Sequence, residues 1–229
     1  MVEAKNLGKK YMRKQAVRDL NLTLEEGKIY AVLGPNGSGK TTFMKMVAGL
    51  VKPTSGELYY KGKRIGVESK KEVAYMSTEP FFYSYMTAKH VGKYYADFFK
   101  DFSMKRYEEL IEKMGLHMED KAKELSSGLA AKLKLAATLA RDAKLYMLDE
   151  PLNGIDIIAR EQVTQAIVEV AREDKTILVS SHLVDELEAI VDSVIFMKNG
   201  ELVLAGDAEE IRTERGKSIV DLYKEIYAE

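Results

Sequence analysis

The stretch Gly34-Pro35-Asn36-Gly37-Ser38-Gly39-Lys40-Thr41-Thr42 decides how this chain of 229 residues is read. It follows the apolar run Ile29-Tyr30-Ala31-Val32-Leu33 and precedes a helical pattern holding Phe43, Met44, Met46, Val47 and Leu50. Strand, glycine-rich loop and helix are the setting in which G-x-x-x-x-G-K-[ST] is a phosphate site rather than a chance match. The loop must bend tightly and bring backbone N–H groups against phosphate oxygens. Gly34, Gly37 and Gly39 carry no Cβ to block that approach. The helix behind the loop aims its positive end at the same anion. Asn36, Ser38 and Thr42 belong to the same cradle, Lys40 reaches the β- and γ-phosphates, and the Thr41 hydroxyl is a ligand for Mg²⁺. A purely structural turn is the alternative, and the flanking strand and helix argue against it. The loop predicts a nucleoside-triphosphate site.

Length and composition set the frame. The chain is long enough for one domain with an inserted lobe. Its 35 Lys and Arg against 36 Asp and Glu leave a net charge of −1, so there is no bulk attraction to nucleic acid or anionic lipid. There is no cysteine, which excludes disulfides, thiolate metal sites and a Cys nucleophile. No apolar run approaches the ~20 residues that span a bilayer, and the start, Met1-Val2-Glu3-Ala4-Lys5, lacks the apolar stretch of a signal peptide. Cytoplasmic residence is expected, with any membrane role supplied by a partner.

Along the chain, residues 1–30 read as short strands and turns, with Leu20, Leu22 and Leu24 alternating. Leu58-Tyr59-Tyr60 and Lys63-Arg64-Ile65 flank a turn at Lys61-Gly62, and Val73-Ala74-Tyr75-Met76 is a further strand. From about 84 to 142 the pattern is helical. Thr87 is an N-cap, and Val91, Tyr94, Tyr95, Phe98 and Phe102 form a stripe expected to face the core. A second helix runs from Met104 towards Gly115, and a third from Gly128 to about Arg141. Strand signals return at 145–148, 176–179 and 194–197. Helices are expected at 157–172, 183–191 and 208–227, with an Asn199-Gly200 hairpin turn before the last. Near-continuous apolar strands alternating with helices predict an α/β fold whose parallel sheet is covered on both faces.

Two further segments carry chemistry. Leu145-Tyr146-Met147-Leu148 ends in Asp149-Glu150, a carboxylate pair at the C-terminal end of a strand, where open α/β sheets bind ligands. Asp149 is placed to hold Mg²⁺, and Glu150 to polarise the attacking water. Leu125-Ser126-Ser127-Gly128-Leu129 opens the Ala-rich helix and is either an anion site or a simple N-cap.

Taken together these residues resemble the ATP-binding cassette, the ATPase subunit of ABC transporters, across essentially the whole chain. The 34–42 loop is similar to Walker A, Leu125 to Leu129 to the L-S-G-G-Q signature, and Asp149-Glu150 to Walker B with its catalytic glutamate. Asn153-Gly154-Ile155-Asp156 resembles the D-loop, His182 the switch histidine, and Tyr11 the aromatic that stacks on adenine. The resemblance implies a P-loop NTPase (RecA-like) core with an N-terminal antiparallel β-subdomain and an inserted α-helical subdomain. Residues 1–83 and 143–229 would form the nucleotide-binding core and 84–142 the helical signature subdomain. It also implies ATP and Mg²⁺ as ligands, with Lys40, Glu150 and His182 catalytic. Thr41, Asp149 and Thr78 would hold the metal, and Asp156 would join the nucleotide site. Cassettes of this family pair head to tail, so Ser126, Ser127 and Gly128 would contact the nucleotide held by a second, most simply identical, ATPase subunit. Closure would move integral membrane permease subunits, which places the pair at the cytoplasmic face of the membrane; no nucleic acid is expected.

The pattern departs from the family in places. Ser127 replaces the first signature glycine and Leu129 the glutamine. In Tyr75-Met76-Ser77-Thr78-Glu79-Pro80 the usual Gln position falls on Thr78, with Glu79 beside it, and either is a candidate sensor. The Phe81-Phe82-Tyr83-Ser84-Tyr85-Met86 cluster lies where the family receives its membrane partner. The Asp97-Phe98-Phe99-Lys100-Asp101-Phe102 segment and the compact length look similar to bacterial drug, antimicrobial-peptide and lantibiotic exporters. The competing readings are a soluble ABC ATPase acting on DNA or ribosomes, and a phosphate-loop kinase or GTPase. The first lacks a coiled-coil insertion or tandem cassette here; the second leaves Ser126-Ser127-Gly128 and His182 unexplained.

Overall fold

In a computed structural model, residues 1–79 and 82–228 are described; Pro80 and Phe81, which the sequence reading assigned to the sensor segment and the aromatic cluster, lie outside them, as does Glu229. Two sheets form the frame. A four-stranded antiparallel sheet has the order β2-β1-β4-β5, from β1 (Val2–Tyr11), β2 (Lys14–Leu24), β4 (Ser55–Tyr60) and β5 (Lys63–Arg64). A six-stranded sheet has the order β10-β9-β3-β8-β7-β6. Its strands are β3 (Ile29–Leu33), β6 (Val73–Met76), β7 (Leu145–Asp149), β8 (Thr176–Ser181), β9 (Ser193–Lys198) and β10 (Glu201–Asp207). All its pairings are parallel except β9 with β10, which closes through the Asn199-Gly200 turn, both residues at positive φ.

Period-two alternation places apolar side chains on both faces of this sheet. Ala31 and Leu33 of β3, Tyr146 and Leu148 of β7, and Ile177 and Val179 of β8 join one core. Tyr30 and Val32, Leu145 and Met147, and Leu178 join the other, where α1 (Lys40–Val47) and the antiparallel sheet cover them. With neither face open to water, the strands read as continuous apolar runs.

The chain between β6 and β7 is helical: α3 (Ala88–Phe98), α4 (Met104–Lys113) and α5 (Ser127–Leu139). Thr87, Ser103 and Ser126 are their N-caps, each accepting a backbone N–H from the first turn. Arg141, at 4% exposure, ties this insert to the sheet: its guanidinium pairs with Asp101, lies over the Phe99 ring and donates to Val73 O and Lys71 O.

Several expectations change. The 183–191 segment is a run of turns rather than a helix. Bonds such as Leu187 N to Val184 O and Ile190 N to Leu187 O bury Val184, Leu187 and Val191, so a helix-like apolar spacing is met without a helix. The expected helix over 208–227 is two, α7 (Ala208–Arg215) and α8 (Ile219–Tyr227), because Gly216 adopts φ 61 and Ser218 caps the second. The helix expected over 157–172 is α6 (Ile157–Val170), and a short α2 (Val67–Glu72), with too few turns to show a period, was not expected. The α3 stripe divides: Val91 is buried, while Tyr94 and Phe98 stack outside at 41% and 67% exposure.

The last turn of α8 braces the phosphate loop. The single proton of the Tyr227 hydroxyl is shared between Met197 O at 2.8 Å and Leu33 O at 3.2 Å, the latter one residue before Gly34. Tyr227→Phe leaves those carbonyls short of a donor and is expected to lower stability by about 1–2 kcal/mol. A urea-unfolding midpoint equal to that of the parent would contradict it.

Candidate active site

The C-terminal ends of β3, β6, β7 and β8 lie side by side, and the residues singled out in the sequence converge there. A cleft of about 370 Å³ is lined by Lys14, Ala16, Asn36, Gly37, Ser38, Gly39, Lys40, Thr41, Thr42, Thr78, Glu150, Asn153 and His182. That volume is within the ordinary range of ligand clefts, about 300–1,000 Å³.

The loop is shaped by contacts that only glycine tolerates. A Cβ on Gly39, at φ 107, would lie 2.5 Å from Ala16 O, and one on Gly34 would lie 2.4 Å from Met197 O. A Cβ on Gly37, by contrast, would meet nothing within 4 Å, so that side of the loop faces open space. Gly39 also caps α1 without any side-chain bond, so the first N–H groups of that helix are left for a ligand. Gly39→Ala combines strain with a clash and is expected to destabilise the fold by about 2 kcal/mol. Thermal unfolding measures it, and an unchanged melting temperature would overturn the assigned backbone geometry.

Lys40 is almost fully buried. Its ammonium donates to Gly34 O at 2.6 Å and Pro35 O at 3.3 Å, and lies 3.4 Å from Glu150 Oε1. Glu150 itself stands at φ 51, a left-handed conformation that costs a β-carbon-bearing residue of order 1–3 kcal/mol and is retained at functional sites. Its backbone N–H donates to Ser180 O and Ser180 Oγ, which hold that turn. Oε2 faces His182 Nδ1 at 2.8 Å. Oε1 is within ion-pair reach of Lys40 but accepts no hydrogen bond.

Among the described residues the buried side-chain oxygens without a hydrogen bond are Ser38 Oγ and Glu150 Oε1, and both residues line this cleft. Unsatisfied buried polar atoms are rare in folded proteins, so two in one cleft point to a polar ligand.

Asp149 is fully buried and satisfied from three sides. Ser180 Oγ donates to Oδ1 at 2.5 Å, Thr41 Oγ1 to Oδ1 at 3.1 Å, and the Tyr75 hydroxyl to Oδ2 at 3.2 Å. Burial, reinforced by the Asp149 charge, pushes the Tyr75 phenol well above its ordinary range and keeps it a donor. A hydroxyl and a carboxylate in contact are hard oxygen donors, the set that suits Mg²⁺ when phosphates and water supply the remaining ligands.

The other expected residues are distributed unevenly. Thr78 lines the cleft, whereas Glu79 is exposed and paired with Lys45 at 3.0 Å, so of the two candidate sensors only Thr78 faces the site. Tyr11 is not on the cleft wall; it is exposed at the end of β1 with the Lys9 ammonium over its ring, opposite Lys14, which is on the wall. Ser126, Ser127 and Gly128 are also absent from the wall. Ser127 and Gly128 lie against Gly154 of the 153–156 turn: a Cβ on Gly128 would come within 2.8 Å of Gly154 O, and one on Gly154 within 3.2 Å of Ser127 Oγ. Ser126 Oγ caps α5, and Asp156 Oδ1 caps α6, accepting from Ala159 N. Lys14, Ala16, Asn153, Ser180 and Tyr75 were not anticipated as site residues. Ser180 had a signal: with Ser181 it forms a polar pair that follows the apolar run Ile177-Leu178-Val179 and ends the strand before His182.

Residues 17–153 match the family described as ABC transporter. This chain belongs to that family. The chain is thus an ATP-binding ATPase with the P-loop fold that the resemblance implied. It is 32% identical over 206 residues to the lantibiotic transport ATP-binding protein SrtF of Streptococcus pyogenes, covering 89% of this chain and 90% of that one. A solved ATP-binding subunit of an ABC transporter superposes with a TM-score of 0.87 at 26% identity, covering 99% of each chain. The ATP-binding cassette MJ0796, solved as a dimer in a post-hydrolysis state with ADP and Pi, shares the fold with a TM-score of 0.81 at 24% identity, over 90% of this chain and 98% of that one.

Proposed function

We propose that this cassette works as a head-to-tail homodimer around two ATP molecules and drives a separate membrane permease at the cytoplasmic face of the membrane. The proposed cargo is exported: a hydrophobic or amphipathic peptide or drug. The observation that carries the dimer is the position of Ser126, Ser127 and Gly128, off the wall of the chain's own cleft and beside the 153–156 turn. A serine and bare N–H groups at a helix start suit a phosphate brought by a second copy. MJ0796 is a cassette solved as a dimer.

In this reading the 37–42 backbone and Lys40 hold the triphosphate, and the ammonium exchanges the Gly34 and Pro35 carbonyls for phosphate oxygens. Thr41 and Asp149 would hold Mg²⁺, with Thr78 at the same end of the cleft; the ion would offset charge on the phosphates. Glu150, freed from Lys40, takes the proton of the attacking water, and His182 orients its carboxylate through the 2.8 Å contact. Tyr11, at the rim beyond Lys14, would stack on the base, and Asp156 would act at the dimer contact through the turn it ends.

No helix among the described residues is long and apolar enough to cross a membrane, so transport needs a partner. Tyr83 and Tyr85 stack in the open, and Tyr94 and Phe98 form a second exposed pair, a surface suited to an apolar partner helix. The export reading draws on SrtF, whose name assigns it to lantibiotic transport. Affinity purification of the chain from its native membranes tests the proposal. A stoichiometric integral membrane protein is expected, and a complex with DNA or ribosomes instead would sink it.

A further inference from the structure

We propose that Lys134 is a positioning residue of the ATPase reaction, fixing Thr78 at the cleft from the helix that begins with the signature segment. The proposal rests on the reading of the cleft as the ATPase site.

Lys134 lies in α5, two turns beyond the Ser126 cap, and is 8% exposed. Its ammonium donates to Ser77 O at 2.8 Å and Thr78 O at 3.0 Å. Among the described residues no carboxylate forms an ion pair with it, and burial depresses its pKa, with Asp149 opposing that shift. A buried ammonium held by carbonyl dipoles alone is a costly way to fill a core position that a methionine would suit. The two carbonyls it binds belong to the segment leaving β6, whose Thr78 is on the cleft wall. Among the described residues the other ties of that segment are local or exposed: Glu79 N donates to Ser77 Oγ, the Ser77 side chain hydrogen-bonds to that of Tyr75, and the Lys45–Glu79 pair is exposed.

Lys134 therefore joins two things the reaction must coordinate. One is the backbone of Thr78, a residue of the cleft wall. The other is the helix whose start, Ser126 to Gly128, meets the second nucleotide site in the proposed dimer. A shift of α5 would carry the Ser77 and Thr78 carbonyls with it, so Thr78 reports the position of the signature helix to the phosphate end. The geometry also accounts for a short threonine where the resemblance places a longer glutamine: a sensor with little reach needs its backbone fixed.

The test compares Lys134→Met, Lys134→Gln, Thr78→Ala and the double variant Lys134→Met/Thr78→Ala in the full chain, with Mg²⁺ and ATP. Lys134→Met is expected to lower kcat about ten-fold with KM changed less than about three-fold, and Lys134→Gln, which keeps an N–H donor, to lose less. The double variant is expected to be no slower than Thr78→Ala alone, because Lys134 acts through Thr78. Hydrogen exchange at residues 77–79 should speed up in Lys134→Met while the α5 amides keep their protection. Parent-like kcat in Lys134→Met, or losses that multiply in the double variant, would overturn the proposal. If Lys134→Met does not fold, Lys134→Gln, Thr78→Ala and the double variant Lys134→Gln/Thr78→Ala decide by the same cycle. A parent chain with no turnover would defeat the ATPase reading instead, and the exchange comparison would then decide the tether alone.

Discussion

Glu150→Gln is expected to abolish ATP turnover while leaving nucleotide bound. The change is isosteric, so the left-handed turn held by Ser180 and the contact to His182 are geometrically preserved. What is lost is the proton acceptor. General-base removal costs about 10²- to 10⁴-fold in kcat, so at least a hundred-fold fall is expected. What is gained is a freer Lys40, whose ammonium no longer has a carboxylate 3.4 Å away competing with phosphate. The variant should therefore bind MgATP at least as tightly as the parent and accumulate as a dimer, visible as an ATP-dependent shift in gel filtration. Hydrolysis at the parent rate would remove Glu150 from the role of base.

Lys40→Ala has the opposite signature. The ammonium lies 3.4 Å from Glu150 Oε1, and it sits where the loop closes on Gly34 O. Charge-assisted hydrogen bonds contribute about 1.5–3 kcal/mol each, so losing those to phosphate should weaken nucleotide binding roughly ten- to a hundred-fold. Calorimetric titration with MgATP reads this directly. A dissociation constant within two-fold of the parent would mean that the backbone of the loop, rather than Lys40, supplies the affinity. The two variants thus separate binding from chemistry: one should hold ATP and not turn it over, the other should fail to hold it.

The parts of this site legible in the sequence are those where residue type and neighbouring pattern point the same way. The 34–42 loop, Asp149-Glu150 and His182 each end or follow an apolar strand, and parallel pairing of β3, β8 and β7 brings them to one edge. Ser180 and Tyr75 escaped notice because their role is to satisfy Asp149, and which buried hydroxyl meets which carboxylate is set by strand register rather than by spacing. Lys14 and Ala16 reach the cleft wall because β2 of the antiparallel sheet packs against the phosphate loop, with Ala16 O 2.5 Å from where a Cβ on Gly39 would lie. The 183–191 segment misled because apolar residues three and four apart fit a chain of turns as well as a helix. The break at Gly216 and Ser218 was visible as a glycine stop followed by a serine cap, and the apolar periodicity across it hid the signal. The division of the α3 stripe has a different cause: nothing in sequence separates an aromatic facing the core from one left exposed.

The central claim is that the chain's own cleft is half of a composite site, with the other half supplied by Ser126 to Gly128 of a second copy. The most direct test measures ATP turnover per chain against chain concentration, with the oligomeric state followed by sedimentation in the same samples. Turnover per chain is predicted to rise in proportion to concentration while monomer dominates and to level off as the ATP-bound dimer saturates. A turnover per chain that is constant across concentrations at which the protein remains monomeric would contradict the account.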